Sequence, residues 1–378
     1  MTAALSLDFA SHFSSVDDPR IDRSKVYPLI DILFVSVAGT LAGCDGPTDI
    51  ADFARTQLAW CRKFVPLENG APAHDTIGRV LSLIKPLQFQ KAFVDWVASF
   101  VNDENEDGPR FIPIDGKTLR GSHGAKHRDK PLHLVSAWAT QQGMTLGQVA
   151  VNTKSNEITA IPKLLEMLEL KGAIISIDAM GCQKEIAKKI VNGGGDYLLA
   201  VKDNQPTLHK AIRMFFLDRH EQNDFRDFGC RQLTTKERSR GRLETRHYFV
   251  APVPESMKAF CRDWKGLKSI AQVVTITECN SKTTTDVRDY IGSREAKVHE
   301  FARSSRGHWA IESMHWVLDV VFAEDASRIR NGDGTANFGS LRKFVLSLLK
   351  RDTSRGSLKG KRKRAAWSTD FLEKLLFG

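Results

Sequence analysis

Residues 307 to 321 read GHWAIESMHWVLDVV, and they constrain the fold more than any other stretch. Taken as a helix, His308, Glu312, His315 and Asp319 fall at i, i+4, i+7 and i+11, one polar stripe along a single face. Trp309, Ile311, Met314, Trp316, Val317, Leu318, Val320 and Val321 cover the remainder, so the helix belongs in a core. A carboxylate on such a helix needs a partner or a metal, because an isolated buried charge is costly. Two more carboxylates are placed to join it: Asp115 in FIPIDGKT and Asp178 in AIISIDAM, each closing a short apolar run that reads as a strand.

Two strand-end aspartates and a helix carboxylate suit Mg²⁺, which takes hard oxygen ligands and keeps several waters. Two such ions about 4 Å apart activate a nucleophile and steady the leaving oxygen in phosphodiester chemistry. The structural alternative is that strand-end aspartates simply cap loops. Asp319, Glu324 and Asp325 compete with Glu312 for the third position, and Glu312 is preferred because it lies inside the apolar helix. His308 and His315 either order a phosphate or carboxylate or are hydrogen-bonded core histidines.

Several other chemistries are excluded. Gly116-Lys117-Thr118 lacks a P-loop lead-in, with Phe111 where the first glycine would stand. Gly193 to Gly195 lacks the G-x-G-x-x-G spacing, and no G-x-S-x-G elbow occurs, so no nucleotide cofactor is expected. Six dispersed cysteines without a C-x-x-C pair argue against a zinc ribbon or disulfide framework and suit a reducing cytoplasm. MTAALSLDFASHF has no signal-peptide pattern. Leu29 to Cys44 is too short for a bilayer and contains Asp31, so no membrane association is expected. A net charge of +10 favours a polyanionic partner, nucleic acid before membrane, or marks a merely basic enzyme.

With 378 residues the chain has room for two domains. Residues 1–101 read as all-helical: Tyr27 to Ala42, Asp49 to Phe64, a short helix capped by Asp75, and Gln88 to Val101. Two short helices around a tight turn there form either a helix-turn-helix reading a DNA groove or part of a helical bundle that only packs on the next domain. Residues 102–109, NDENEDGP, read as a linker. From 110 to 350 strands alternate with helices, including one over Glu157 to Leu170 capped by Asn156, which points to a mixed sheet flanked by helices. Residues 207 to about 300 interrupt it as a β-rich insertion. Its basic hairpin, with Arg238, Arg240, Arg242 and Arg246 beside Glu237 and Glu244, either lies on DNA phosphates or pairs with itself. Residues 351–378 read as a basic tail with eight Lys/Arg against three Asp/Glu, concentrated at Lys361, Arg362, Lys363 and Arg364.

The chain resembles the ISAs-type, H-repeat-associated insertion-sequence transposases of the DDE group. The likeness rests on AHDTIGRVL from Ala73, IPIDGKTLRGS from Ile112, KSNEITAIPKLL from Lys154, IDAMGCQKEIA from Ile177, GGDYLLAVKDNQ from Gly194 and HWAIESMHWVLDVVFAEDASRIR from His308. It spans most of the chain. The resemblance implies an RNase H-like core with a β-rich insertion, a triad of Asp115, Asp178 and Glu312, and a helical accessory domain for DNA. His308, Trp309, His315 and Asp319 are expected near that site, and Lys117, Arg120, Arg328 and Arg330 join the basic residues expected on DNA. Related elements carry Tyr, Arg, Glu and Lys where this chain has Ser305, His308, Glu312 and Asp319, so only the glutamate is kept. Asp203 stands where glycine is expected.

The implied activity is Mg²⁺-dependent cleavage of transposon ends, with Mn²⁺ as a substitute, followed by strand transfer. The implied partners are double-stranded DNA (terminal inverted repeats and target) and a second copy of the chain at synapsis, in a bacterial cytoplasm near the nucleoid. The alternatives are a catalytically silent protein that holds DNA ends and a stand-alone nuclease.

Overall fold

The computed structural model describes residues 9–99, 108–124, 130–151, 157–222, 225, 228–239, 241–280 and 282–378. The expected cap Asn156, Arg240 and most of the expected linker, 102–107, lie outside the described residues.

The chain begins with helices α1 (Leu29–Leu41), α2 (Pro47–Thr56), α3 (His74–Leu83) and α4 (Pro86–Ala98). Strand β1 (Arg110–Thr118) and the hairpin β2 (His133–Ala139) and β3 (Met144–Val151) follow. Next come α5 (Glu157–Leu165), β4 (Ala173–Ile177), α6 (Lys184–Asn192), β5 (Asp196–Val201) and α7 (Pro206–Gln222). Four long strands, β6 (Arg231–Ser239), β7 (Arg242–Pro252), β8 (Ser269–Cys279) and β9 (Lys282–Gly292), precede α8 (Val298–Phe322). The chain closes with α9 (Gly334–Arg351), α10 (Leu358–Trp367) and α11 (Thr369–Phe377). No helix among the described residues is long and apolar enough to cross a membrane.

Two compact units divide these elements, one made of Gly108–Asp115 and Glu157–Glu312, the other of Met1–Asp107, Gly116–Asn156 and Ser313–Gly378. β1 and α8 each run from one unit into the other.

The central unit is a mixed sheet in the order β1-β4-β5-β9-β8-β7-β6. β1, β4 and β5 run parallel, with Ile112 opposite Ile175 and Ile174 opposite Asp196. Ala173 to Ile177 is buried throughout, as a parallel strand covered on both faces requires. β5 to β6 continue as an antiparallel meander whose edge strand β6 is largely exposed. α5 and α6 pack together, with Ile161, Leu164, Ile186 and Ile190 buried, while α7 lies on β8 and β9 with Leu208, Ile212 and Phe216 buried. The first turns of α8 are seated on the sheet by Val298, Phe301 and Ala302, packed with Ile174, Leu198, Tyr248 and Tyr290. That seat sets where the following turns of α8 point.

The other unit is built around α9, buried from Gly334 to Leu349 and packed by α1, α3, α4 and β3. Phe93 of α4 stacks on Phe344 of α9 at 4.3 Å. Asn337 of α9 donates to the carbonyls of Leu81 and Ile84 at 2.7 and 2.8 Å, capping the end of α3. The expected boundary at residues 102–109 therefore does not set the N-terminal helices apart: they share a core with α9.

The expected basic tail is corrected too. Residues 358–377 form α10 and α11, which pack on α1. Lys361 and Arg362 are buried. Lys361 meets Asp352 at 3.1 Å, and Arg362 donates to the carbonyl of Thr40 and to Asp45. Buried ammonium and guanidinium groups need such partners, which far-off carbonyls and carboxylates provide here.

Candidate active site

Parallel pairing of β1 with β4 ends at Ile114 opposite Ile177. Asp115 and Asp178 are the next residues of the two neighbouring strands, so their side chains leave the sheet at one level, with strands about 4.8 Å apart. β1 itself continues to Thr118, so Asp115 lies beyond the last paired rung rather than at a strand end. After Asp178 the chain makes a tight turn in which the aspartate accepts the backbone N–H of Gly181 at 3.4 Å.

Glu312 reaches the same place from α8. Asp115, Asp178 and Glu312 line one open cavity of about 390 Å³. His308, one turn before Glu312, also lines it and shares a 3.0 Å hydrogen bond with Ser176, two residues before Asp178. α8 is thus tied directly to the strand that carries the second aspartate.

The same cavity has a basic wall that the sequence reading missed: Lys202 after β5, His209 and Arg213 on α7, and Arg288 on β9. Burial works against the Arg288 charge, but Asp286 beside it, with Tyr290 and Glu312, holds its pKa above the ordinary value. Burial pushes the Tyr290 hydroxyl up to about 12, and burial with the nearby Asp178 charge pushes the Cys182 thiol to about 12, so neither ionises at neutral pH. Lys202 could have been found in the AVKDNQ motif. His209 and Arg213 lie on a helix whose mixed polar and apolar pattern was not read as one.

The other expected site residues go elsewhere. Trp309 is turned to a second, larger cavity of about 760 Å³, where Arg288 lies 4.5 Å over its ring. α8 is not apolar-in on every side, since Trp316 remains 56% exposed. His315 and Asp319 do not line the carboxylate cavity. Asp319 pairs instead with Lys117, which also meets Glu324 at 2.6 Å and Asp325 at 3.9 Å. The three competitors for the third acidic position therefore gather round one lysine.

Two family matches divide the chain: "DDE_Tnp_1-associated" over residues 10–97 and "Transposase DDE domain" over residues 106–348. The "H repeat-associated putative transposase YhhI" of Escherichia coli K12 is 38% identical over 97% of this chain and 97% of its own. The chain belongs to the H-repeat-associated DDE transposases. The "Putative transposase YncI" of Escherichia coli O157:H7 is 42% identical over 97% of this chain and 93% of its own. A piggyBac transposase in a synaptic complex with hairpin DNA matches at a TM-score of 0.44 and 9% identity, over 99% of this chain and 82% of that one, too slight a likeness to argue from.

DDE transposases use divalent metal ions, and the donor set here is of the right kind: Asp115, Asp178 and Glu312 are among five carboxylates, with no thiolate, that line one cavity. Among the described residues no three His, Cys, Asp or Glu side chains form a ready-made metal cage. The fit is one of donor chemistry and placement, in an open site.

For a DNA transposase the basic residues matter as well. In the hairpin, Arg242 and Arg246 both pair with Glu244, and Glu237 takes Arg246 at 3.2 Å and Arg306 at 2.6 Å. Arg238 is exposed. Lys117 and Arg246 are buried, and Arg120 faces Asp325 at 3.4 Å. Arg330 donates to the carbonyl of Gly121, whereas Arg328 and Lys363 are exposed. Arg364 lies 3.6 Å over the Phe371 ring.

Proposed function

We propose that this chain cleaves DNA at the ends of an insertion sequence and joins those ends to a target, with Asp115, Asp178 and Glu312 as the metal-holding carboxylates of an RNase H-like core. The observation that carries this reading is the register: Asp115 and Asp178 stand one residue past the last paired rung of adjacent parallel strands, and Glu312 shares their cavity. Mg²⁺, or Mn²⁺ in its place, would supply Lewis acidity at the scissile phosphate and acidify the attacking hydroxyl. The protein's part is placement. Ser176 and His308 fix α8 against β4, and the N–H of Gly181 orients the Asp178 carboxylate. Two DNA ends held together call for at least a homodimer, working on chromosomal DNA in the cytoplasm.

The test is Mg²⁺-dependent cleavage of a labelled DNA carrying the element's own termini. Asp115→Ala and Glu312→Gln are expected to abolish cleavage, by a factor of at least about 10³, while end binding stays nearly intact. Binding lost in step with cleavage would remove the metal-site assignment. The open donor set favours one second reading, a protein that holds DNA ends without cutting; binding by the wild type with no cleavage in Mg²⁺ or Mn²⁺ would establish it.

A further inference from the structure

The cavity that holds the three carboxylates contains a second constellation. Asp289 of β9 is 1% exposed, and every atom of its carboxylate is engaged. One oxygen accepts Nε of Arg213 and faces Nε2 of His209 at 3.2 Å, and the other accepts the amide of Gln272 at 2.9 Å. Arg213 also donates through Nη2 to the carbonyl of Val287 at 3.1 Å. These two bonds use two of the five N–H groups of a guanidinium, and they fix its plane. The side chain nevertheless remains 44% exposed, at a cavity wall.

A guanidinium oriented by a buried carboxylate, with donors still turned to an open cavity, is built to receive an anion with two oxygens. The lining as a whole carries five carboxylates against three strong bases, so an anionic strand would be repelled unless locally guided. His209 and Arg213, at i and i+4 on α7, share one face there; the ring nitrogens of His209 face Asp203 and Asp289 at 3.2 Å each, which leaves Arg213 to supply the guiding donors.

We propose that Arg213, positioned by Asp289, forms a phosphodiester-binding subsite of this cavity. It takes a backbone phosphate of the DNA strand whose bond lies at the carboxylates. Asp289 is a positioning residue, acting through Arg213. The inference rests on the reading of the cavity as the DNA-cutting site.

The experiment is a charge-deletion cycle on binding by the full-length protein, read by fluorescence anisotropy in Ca²⁺. The probe is end DNA in which each phosphate flanking the cleavage junction is replaced in turn by a neutral methylphosphonate. Wild type is expected to lose about tenfold or more in affinity at one position, the cost of a charged hydrogen bond. Arg213→Gln binds the all-phosphate DNA about tenfold more weakly and shows no penalty at that position, and Asp289→Asn behaves likewise in part. Arg213→Lys keeps the charge beside Asp289 but not the fork of donors; it is expected to show a reduced penalty and replaces Arg213→Gln if that variant does not fold. Equal penalties for wild type and variants at every position would overturn the assignment and leave Arg213 as a brace between α7 and β9. Cleavage is not read, so this outcome is separate from that of the Mg²⁺ assay.

Discussion

Lys117→Met tests the buried ion cluster that closes the far end of β1. The Lys117 side chain is 9% exposed and its ammonium meets Asp319, Glu324 and Asp325, of which Glu324 is fully buried. Methionine keeps the length and apolar stem, so packing is nearly conserved and the change isolates the charge. Burial pulls the Glu324 carboxyl upward, but Lys117, Lys343 and Arg342 more than reverse this and hold it below the ordinary value. Removing the nearest of the three leaves a buried carboxylate short of its partner, which costs about 3–5 kcal/mol. Because Lys343 and Arg342 remain, we expect the lower end, about 3 kcal/mol. Glu324→Gln in the Lys117→Met background removes the orphaned charge and should restore about 2 kcal/mol of it. The assay is urea unfolding of the four proteins of the cycle, followed by circular dichroism. Asp319→Asn, at a half-exposed position, should cost under about 1 kcal/mol. The sign with pH is fixed: a carboxyl held low in the fold stabilises at neutral pH and loses that contribution as pH falls through its folded value. Lys117→Met should therefore flatten the acid limb of the stability curve. A loss below about 1 kcal/mol for Lys117→Met, or no recovery in the double variant, would refute the account.

Two further outcomes follow from buried groups near the two cores. Burial lowers the Lys343 ammonium to about 8, despite Glu324, so the unfolded chain binds its proton more tightly. Wild-type stability relative to Lys343→Met should therefore rise between pH 8 and roughly 10.4, by up to about 1.4 kcal/mol per unit, and a flat difference in melting scans would count against it. A Cβ at Gly181 would collide with Cγ2 of Ile177 and lie 2.9 Å from Cδ1 of Ile161. Gly181→Ala should displace the turn after Asp178, lowering cleavage about a hundredfold with a stability loss of about 1–3 kcal/mol; unaltered cleavage would show that the turn does not position Asp178.

Much of the carboxylate site was legible because it depends on short-range pattern. The apolar runs before Asp115 and Asp178 mark them as parallel core strands, and the polar stripe of residues 308–319 marks a helix face. Periodicity reports which face a side chain is on, not what it meets. Asp319 shares the stripe with Glu312 yet answers a lysine, and Trp316 is apolar yet exposed. Arg213 and Asp289 were invisible as a pair because 76 residues separate them. Lys361 and Arg362 read as a solvated run because nothing local signals the carbonyl of Thr40, 322 residues away from Arg362. Composition counts charges; only the fold says which are already neutralised.

The packing of α9 against the early helices has a consequence for synthesis. Asn337 caps the last turn of α3 at the carbonyl of Leu81, 256 residues before it. At about 5–20 residues per second a ribosome needs on the order of ten to fifty seconds to add that span. All that time Phe93 and its neighbours have no Phe344 to stack on, although every residue of the carboxylate cavity has been made before α9 begins. The nascent chain thus passes through a long interval with a sticky, half-finished bundle at its front, and any truncation before Gly334 makes that interval permanent.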